Sequence, residues 1–167
     1  MLSMPFLRGL LPLTAMIACL LGMSCDASAG QNVKVCLVTI LASQHDNKVD
    51  DLVKSIAAEV QKKKPRLKLK GFQVANMTCK SLATGQKWTV KLVDGQTAEV
   101  VIDQPADKDN WVVLRVTAPR QGEIQYGTVC GKYLPIVTRY KTKDKGDRLI
   151  LAIMVKPCHK GKPEEKK

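Results

Sequence analysis

Hydrophobic residues recur at steps of three and four between residues 49 and 60, which is the clearest periodic pattern in the chain. Such spacing predicts an amphipathic helix with one apolar face. The members of that face are Val49, Leu52, Val53, Ile56, Ala57 and Val60. Asn47 is the predicted N-cap, with Asp50 in the position of a capping-box acid. Pro65 predicts the end of the helix, because a proline ring cannot continue the hydrogen-bond ladder.

Two other segments are apolar along almost their whole length. Residues 33–42 and 149–155 carry β-branched and aliphatic side chains at both alternating positions. This composition is typical of strands that are buried on both faces. We therefore expect both segments at the centre of a sheet.

Between these two segments the pattern changes to shorter strands separated by turn residues. The predicted strands are 67–79, 87–93, 97–103, 110–117, 123–129 and 133–141. Asp94-Gly95 is the strongest hairpin signal, because this dipeptide suits a tight turn between alternating segments. One helix followed by many antiparallel strands predicts an α+β fold. In that fold the helix packs on a mostly antiparallel sheet of about seven or eight short strands, held by two disulfides.

The cysteine count predicts those disulfides. Four of the six cysteines, Cys36, Cys79, Cys130 and Cys158, follow the N-terminal apolar segment. An even number in an exported chain indicates two bridges, and four cysteines allow three pairings. Strand topology favours Cys36 with Cys79, through a right-handed β-helix-β crossover. It favours Cys130 with Cys158, because the end of strand 149–155 should lie beside the start of strand 133–141.

The first 29 residues predict a signal peptide. Arg8 supplies one positive charge, and residues 9–23 contain no charged residue. This apolar run is shorter than the roughly 20 residues that a membrane-spanning helix needs. The small residues of 27–29 fit the pattern before a cleavage site, which would leave Gly30 at the mature N-terminus. An uncleaved membrane anchor is the alternative.

Cys25 offers a second alternative, because a cysteine after an apolar segment and a small residue is the target of bacterial lipoprotein processing. Gly22 and Met23 stand where that pattern has Leu and a small residue, so the match is partial. Simple cleavage predicts a secreted or periplasmic protein. Lipidation at Cys25 predicts a protein anchored to the membrane.

Length and charge narrow the class of protein. The 167 residues suit one domain, which we place at 30–158, with 159–167 as a disordered basic tail. Twenty-seven Lys and Arg against 15 Asp and Glu give a net charge of +12. Removal of residues 1–29 takes away one base and one acid, so the mature charge is unchanged. Such a surface attracts anions without naming one.

The densest basic run is a candidate anion-binding site. It comprises Lys62, Lys63, Lys64, Arg66, Lys68 and Lys70, of which Lys63, Arg66, Lys68 and Lys70 are the residues that we assign to binding. If residues 66–70 are extended, three of these bases share one strand face. The partner would be an anionic polymer or a membrane surface. The structural alternative, which we favour, is a helix C-terminus followed by a solvated edge strand. A second basic stretch lies at residues 139–148.

Other chemistry is poorly represented. Nucleic acid is an unlikely class of partner, because aromatic residues, which stack on bases, make up only 4% of the chain. No nucleophile elbow, phosphate loop or dinucleotide fingerprint is present, so no motif predicts catalysis or a cofactor. His45 and His159 lack the spacing of a ligand pair, and no two of the four cysteines have the C-x-x-C spacing that zinc sites use. We interpret His45 as a solvated loop residue.

Residues 73–75 carry a weak resemblance to a known family. Gln73-Val74-Ala75 is similar to part of the Q-x-V-x-G hairpin motif of the cystatins, although Asn76 and Met77 follow where the motif has its Gly. A single helix lying across an antiparallel sheet is similar to the cystatin architecture. The sequence thus predicts an exported, basic, disulfide-stabilised domain of the cell envelope or extracellular space that binds or supports without catalysis. A secreted enzyme or a cystatin-like enzyme inhibitor is the alternative.

Overall fold

The computed structural model describes residues 32–157, within which it places one α-helix and eight strands. The strands are β1 (Val33–Ser43), β2 (Gly71–Leu82), β3 (Lys87–Lys91), β4 (Thr97–Gln104), β5 (Trp111–Ala118), β6 (Gly122–Val129), β7 (Tyr133–Lys141) and β8 (Arg148–Pro157). The helix is α1 (Lys54–Lys63). Within the described range no helix is long and apolar enough to span a membrane. The predicted signal peptide, Cys25, Cys158 and the tail 159–167 lie outside it.

The strands form two antiparallel sheets. Sheet A has the order β2-β1-β8-β7, and sheet B has the order β3-β4-β5-β6. The predicted α+β class is confirmed, but the expectation of one sheet is wrong. The chain leaves sheet A after β2, and β3 pairs with β4 instead of continuing beside β2. The predicted hairpin around Asp94-Gly95 joins β3 to β4.

The two sheets and the helix make three layers, because sheet A is apolar on both faces. One face packs against the inner face of sheet B, and the other packs against α1. The buried residues of sheet A between the sheets are Val33, Val35, Leu37, Leu82, Ile136, Tyr140, Leu149, Leu151, Ile153 and Val155. Residues of sheet A under the helix are Val38, Ile40, Ala42, Phe72, Ile150 and Ala152. A single layer of strands would leave one of these faces in water, so sheet B covers it.

The predicted central strands are confirmed. β1 and β8 are the two inner strands of sheet A, paired antiparallel along almost their whole length. Leu151 and Ile150 are adjacent in β8 and both fully buried, one toward sheet B and the other toward α1. Because period-two alternation sends neighbours to opposite faces, only a strand covered on both sides can be apolar at every position.

The helix begins later than the sequence predicts. Residues 48–50 pair with β2 instead: the Asp50 N–H donates to the Phe72 carbonyl at 3.0 Å, and the Phe72 N–H donates to the Lys48 carbonyl at 2.8 Å. Asn47 therefore does not cap α1, which follows a short 3-10 turn at Asp51–Val53. Leu52 is 52% exposed and does not belong to the buried stripe. The helix does end just before Pro65, as predicted.

β2 contains a bulge that changes which face of sheet A its side chains lie on. Thr39 of β1 pairs with Asn76, and Ile40 pairs with Val74, which leaves Ala75 unpaired. An extra residue in one strand reverses the side on which later side chains lie. Phe72 accordingly packs under the helix, whereas Leu82 packs between the sheets. Gln73-Val74-Ala75 lies within β2, at the bulge, rather than at the tip of a hairpin.

One predicted disulfide is present, and its route differs from the prediction. Cys36 and Cys79 face each other across β1 and β2 and are bonded. The predicted right-handed crossover is wrong, because that rule concerns parallel strands, and β1 and β2 are antiparallel. The connection through α1 therefore reverses the direction of the chain between β1 and β2. The predicted neighbourhood of β7 and β8 is confirmed, since Tyr133 pairs with Met154.

Candidate anion-binding surface

The predicted basic residues lie on a segment that crosses one end of sheet A. Lys64 lines a groove with residues of β7. At the other side, the Lys70 N–H donates to the Ser43 carbonyl at 2.8 Å, next to the start of β2. Between them, Gln44 Nε2 donates to the Leu67 carbonyl at 2.7 Å, and Gln61 Nε2 donates to the Leu69 carbonyl at 3.0 Å. The segment therefore runs from the β7 edge to the β2 edge of the sheet.

The four assigned bases are exposed, but they do not share a strand face. Lys63 ends α1 and contacts Glu59 at 2.6 Å. Arg66 lies in a 3-10 turn, and Lys68 has a φ of 49° in the left-handed region. The predicted strand start at residue 67 is wrong, because β2 begins at Gly71. Among the described residues, none forms an ion pair with Arg66, Lys68 or Lys70.

The second basic stretch comes to the same end of the molecule. The turn between β7 and β8 places Lys141, Lys145 and Arg148 around a depression of about 190 Å³ that Leu69 also lines. Leu69 stands between two of the assigned bases in the sequence, so the two basic stretches meet here. We call this surface the basic end; it comprises Lys63, Arg66, Lys68, Lys70, Lys141, Lys145 and Arg148.

A glycine closes the surface on the β2 side. A Cβ on Gly71 would lie 2.6 Å from the Asp46 carbonyl oxygen, so the start of β2 can approach the loop after β1 only without a side chain. His45 of that loop lines the same depression as Lys145. The acid in this depression is Asp147, whose N–H donates to Thr142 Oγ1 at 3.0 Å.

A neighbouring depression of about 360 Å³ holds several polar groups, and these groups support the loop. Ser43 Oγ accepts the N–H groups of His45 and Asp46, each at 3.1 Å. The Asp46 carboxylate accepts the Lys48 N–H at 2.9 Å and Gln73 Nε2 at 2.6 Å. These contacts are those of a turn that orders its own backbone.

An ionised carboxylate ties sheet B to this end. Asp94 sits in the β3–β4 turn, where its Oδ2 accepts the Tyr140 hydroxyl at 2.8 Å and the Lys143 N–H at 3.0 Å. The Lys143 N–H, followed by the Tyr140 hydroxyl, lowers the pKa of Asp94 below its usual 3.8. Burial, followed by the bond to Asp94, raises the pKa of Tyr140. Arg120 lies 5.6 Å from the centre of the Tyr140 ring.

Cys130 lies at the opposite end of β8 from the basic end, and within residues 32–157 it has no disulfide partner. It is half-buried, and burial raises the pKa of its thiol. The Gly131 N–H donates to the Val155 carbonyl at 2.8 Å, so Cys130 lies beside the last residues of β8. Its predicted partner Cys158 is outside the described residues. Within residues 32–157, no group of three His, Cys, Asp or Glu side chains is placed to hold a metal ion.

Comparisons with protein-family models, with curated proteins and with solved structures found no match for this chain. The interpretation of the basic end therefore rests on its own residues. Both basic stretches were identified from the sequence, but the sequence did not predict that they lie close together in the fold. Their meeting follows from the pairing of β1 with β8, which sets the end of β1 beside the start of β8.

Proposed function

We propose that the protein is an exported, non-catalytic binding domain whose basic end docks on an anionic polymer. The observation that carries this proposal is the meeting of two basic stretches, nearly 70 residues apart in sequence, around the depression between Leu69 and Lys145. Exposed bases that already have carboxylate partners gain little from a new anion. Arg66, Lys68 and Lys70 have no such partner among the described residues.

A polymer suits this surface better than a bilayer. Membrane docking is strengthened by apolar side chains that enter the acyl region beside the bases. The large hydrophobic side chains that are exposed in the described part of the chain are Leu52, Met77, Trp111 and Val129. None of them belongs to the basic end. Contact through charge alone is the expected mode for a sulfated, phosphorylated or carboxylated polymer, and it weakens with salt.

Export is supported by the cysteines and by the N-terminal segment. The Cys36–Cys79 bridge is of the kind that persists in oxidising compartments. The second bridge of the proposal joins Cys130 to Cys158, because Cys130 lies beside the end of β8 and Cys158 is the residue after that strand. Secretion or periplasmic release follows from cleavage after Ala29, and anchoring follows from lipidation at Cys25. The intact mass of the mature protein, with and without reductant, distinguishes these forms and counts the bridges.

The binding test neutralises the assigned bases and compares two variants of equal charge. The first variant carries Lys63→Gln, Arg66→Gln, Lys68→Gln and Lys70→Gln. The matched control carries Lys34→Gln, Lys80→Gln, Lys132→Gln and Lys156→Gln, four exposed bases at the other end of sheet A. Because β1 spans about 35 Å from one end to the other, the control removes the same charge from a distant surface.

Retention on a sulfated polysaccharide is then measured against salt concentration. We expect the first variant to bind about tenfold more weakly than the control, which corresponds to about 1.4 kcal/mol. Equal retention of the two variants would show that bulk charge alone is responsible and would overturn the proposal. Stronger binding to vesicles of anionic lipid than to the polysaccharide would indicate that the partner of the basic end is a membrane rather than a polymer.

A further inference from the structure

We propose that the open edge of β2 accepts an extended acidic segment of another protein as a fifth strand of sheet A. β2 is an outer strand of the sheet, and its residues from Ala75 to Ser81 are exposed except for the half-buried Thr78. A strand at a sheet edge presents backbone donors and acceptors to any extended chain that lies beside it. This surface is distinct from the basic end and does not depend on the function proposed for it.

The disulfide identifies which backbone groups face outward. In an antiparallel pair, residues whose Cα atoms lie closer than about 5 Å form the non-hydrogen-bonded type of pair. The Cα atoms of Cys36 and Cys79 are 4.1 Å apart, so the Cys79 N–H and carbonyl point away from β1. The N–H and carbonyl of Met77 also point away from β1, because Met77 lies two residues before Cys79 and the bulge at Ala75 does not come between them. Within residues 32–157 these outward groups of Met77 and Cys79 have no hydrogen-bond partner.

The edge also borders a groove between the two sheets. We call it the edge groove; it encloses about 350 Å³ and is lined by Asn76, Thr78, Cys79, Lys80, Trp88, Thr89, Val90 and Lys91. The Thr78 Oγ1 atom is buried there without a hydrogen-bond partner in the described part of the chain. A buried hydroxyl usually has a partner, so this one is available to a group that enters the groove.

Charge selects the occupant. Lys80 of β2 and Lys91 of β3 both line the edge groove. No Asp or Glu is among the residues that line it. Lysines at an edge oppose pairing with a second copy of this chain, whose net charge is also +12. An acidic strand converts the same lysines into partners. Met77, which is 42% exposed on the opposite face of β2, suits apolar residues at the alternate positions of that strand.

The other edge of sheet A lacks this capacity. β7 contains Pro135, which pairs with Ala152 of β8. A proline has no N–H and is tolerated in a sheet where its nitrogen faces the open side. β7 also carries a register irregularity between Val137 and Lys141. Its outer side is therefore blocked in the way that natural edges commonly are, whereas β2 is continuous from Asn76 to Leu82 and has no proline.

The probe is a peptide of about six residues, a common strand length, that alternates glutamate with valine. We expect it to bind the oxidised full-length mature protein and to slow hydrogen exchange of the Met77 and Cys79 amides. A peptide that alternates lysine with valine is the charge control and should not bind. Absence of slowed exchange at these two amides in the presence of bound glutamate peptide would overturn the proposed docking mode.

Two variants at one position separate the backbone from the side chain. Met77→Pro removes the outward N–H, and because that N–H is not used in the pairing with β1, the fold should persist. Met77→Ala retains the N–H. We expect Met77→Pro to weaken peptide binding at least tenfold and Met77→Ala by less than about threefold. Equal affinity of the two variants would overturn the proposal. A concentration-dependent dimer that Met77→Pro abolishes would also overturn it, in favour of a second copy of this chain.

Discussion

Sheet A and sheet B are built from the same number of strands, yet they bury their side chains differently. Sheet A lies between α1 and sheet B, so its inner strands β1 and β8 are covered on both faces. Among residues 32–157, sheet B is covered on one face only, and β5 alternates between buried and half-exposed residues. The comparison shows why one chain carries two hydrophobic patterns: the number of covered faces determines whether a strand is apolar at every position or at every second one.

The outer face of sheet B has contacts that sheet A does not need. Arg115 of β5 donates from Nε to both carboxylate oxygens of Asp103, at 2.8 and 2.9 Å, and these bonds raise the pKa of Arg115. At the other end of β5, Trp111 lies over Gly127 of β6 and leaves no room there for a Cβ. Trp111 remains 44% exposed. Cross-strand pairs of this kind hold an open face together without burying it fully.

The disulfide gives the largest expected difference between the sheets. It joins two strands of sheet A and closes a loop of 43 residues that includes α1. In the chain-entropy model such a loop corresponds to about 4 kcal/mol. We expect the double variant Cys36→Ala, Cys79→Ala to lose up to about that much free energy of unfolding, measured in urea without reductant.

Reductant provides the control for this prediction. With the thiols reduced, the wild type and the double variant should differ by less than about 1 kcal/mol, because only the packing of two small side chains separates them. A large difference that persists in reductant would assign the loss to packing rather than to the covalent bond. Equal stability without reductant would show that the bridge does not stabilise sheet A.

A pair of truncations tests the difference in burial itself. Leu151→Ala empties a fully buried site between the sheets, and we expect it to cost about 3 kcal/mol. Val113→Ala lies on the half-exposed outer face of sheet B and should cost less than about 1 kcal/mol. Urea unfolding of both variants gives the two values. Similar losses would mean that the outer face of sheet B is covered, which contradicts the layer arrangement.

Residue patterns predicted much of sheet A and less of the way that the layers meet. The uninterrupted apolar segments located β1 and β8 at the sheet centre, because burial on both faces leaves a direct trace in composition. The alternation of apolar and polar residues in β4 and β5 was equally clear. An apolar strand face, however, does not indicate which other element of the fold packs against it. The division into two sheets was missed for this reason.

The start of α1 and the basic end depended on long-range contacts. Residues 48–50 have a helical pattern, yet their backbone groups pair with Phe72, more than 20 residues away. The basic end likewise required the pairing of β1 with β8, which brings Lys145 to Leu69. Periodicity reports local preference and burial, so neither contact could be obtained from it. The central position of β1 and β8 was predicted, but it did not show that these two strands pair with each other and bring their ends together.

The smallest effect that we predict concerns Asp94, which links the β3–β4 turn of sheet B to the β7–β8 turn of sheet A. The folded protein lowers the pKa of Asp94 below 3.8, chiefly through the Lys143 N–H and then the Tyr140 hydroxyl. A carboxyl with a lowered folded-state pKa adds stability above its unfolded pKa, and that stability is lost as pH falls through the folded value. The ionised link should therefore be fully present at neutral pH and lost below about pH 4.

Asp94→Asn removes the charge and keeps the side-chain shape. Because Asn tolerates the left-handed backbone about as well as Asp, the φ of 55° at this position adds little strain in the variant. We expect the variant to melt at a lower temperature than the wild type at pH 7, and the two melting curves to converge as the pH falls below about 4. Tyr140→Phe removes the hydroxyl donor, so the effect of Asp94→Asn should shrink in that background. A melting difference between the wild type and the Asp94→Asn variant that stays constant from neutral pH to the acid limit would show that charge at this position does not connect the two sheets.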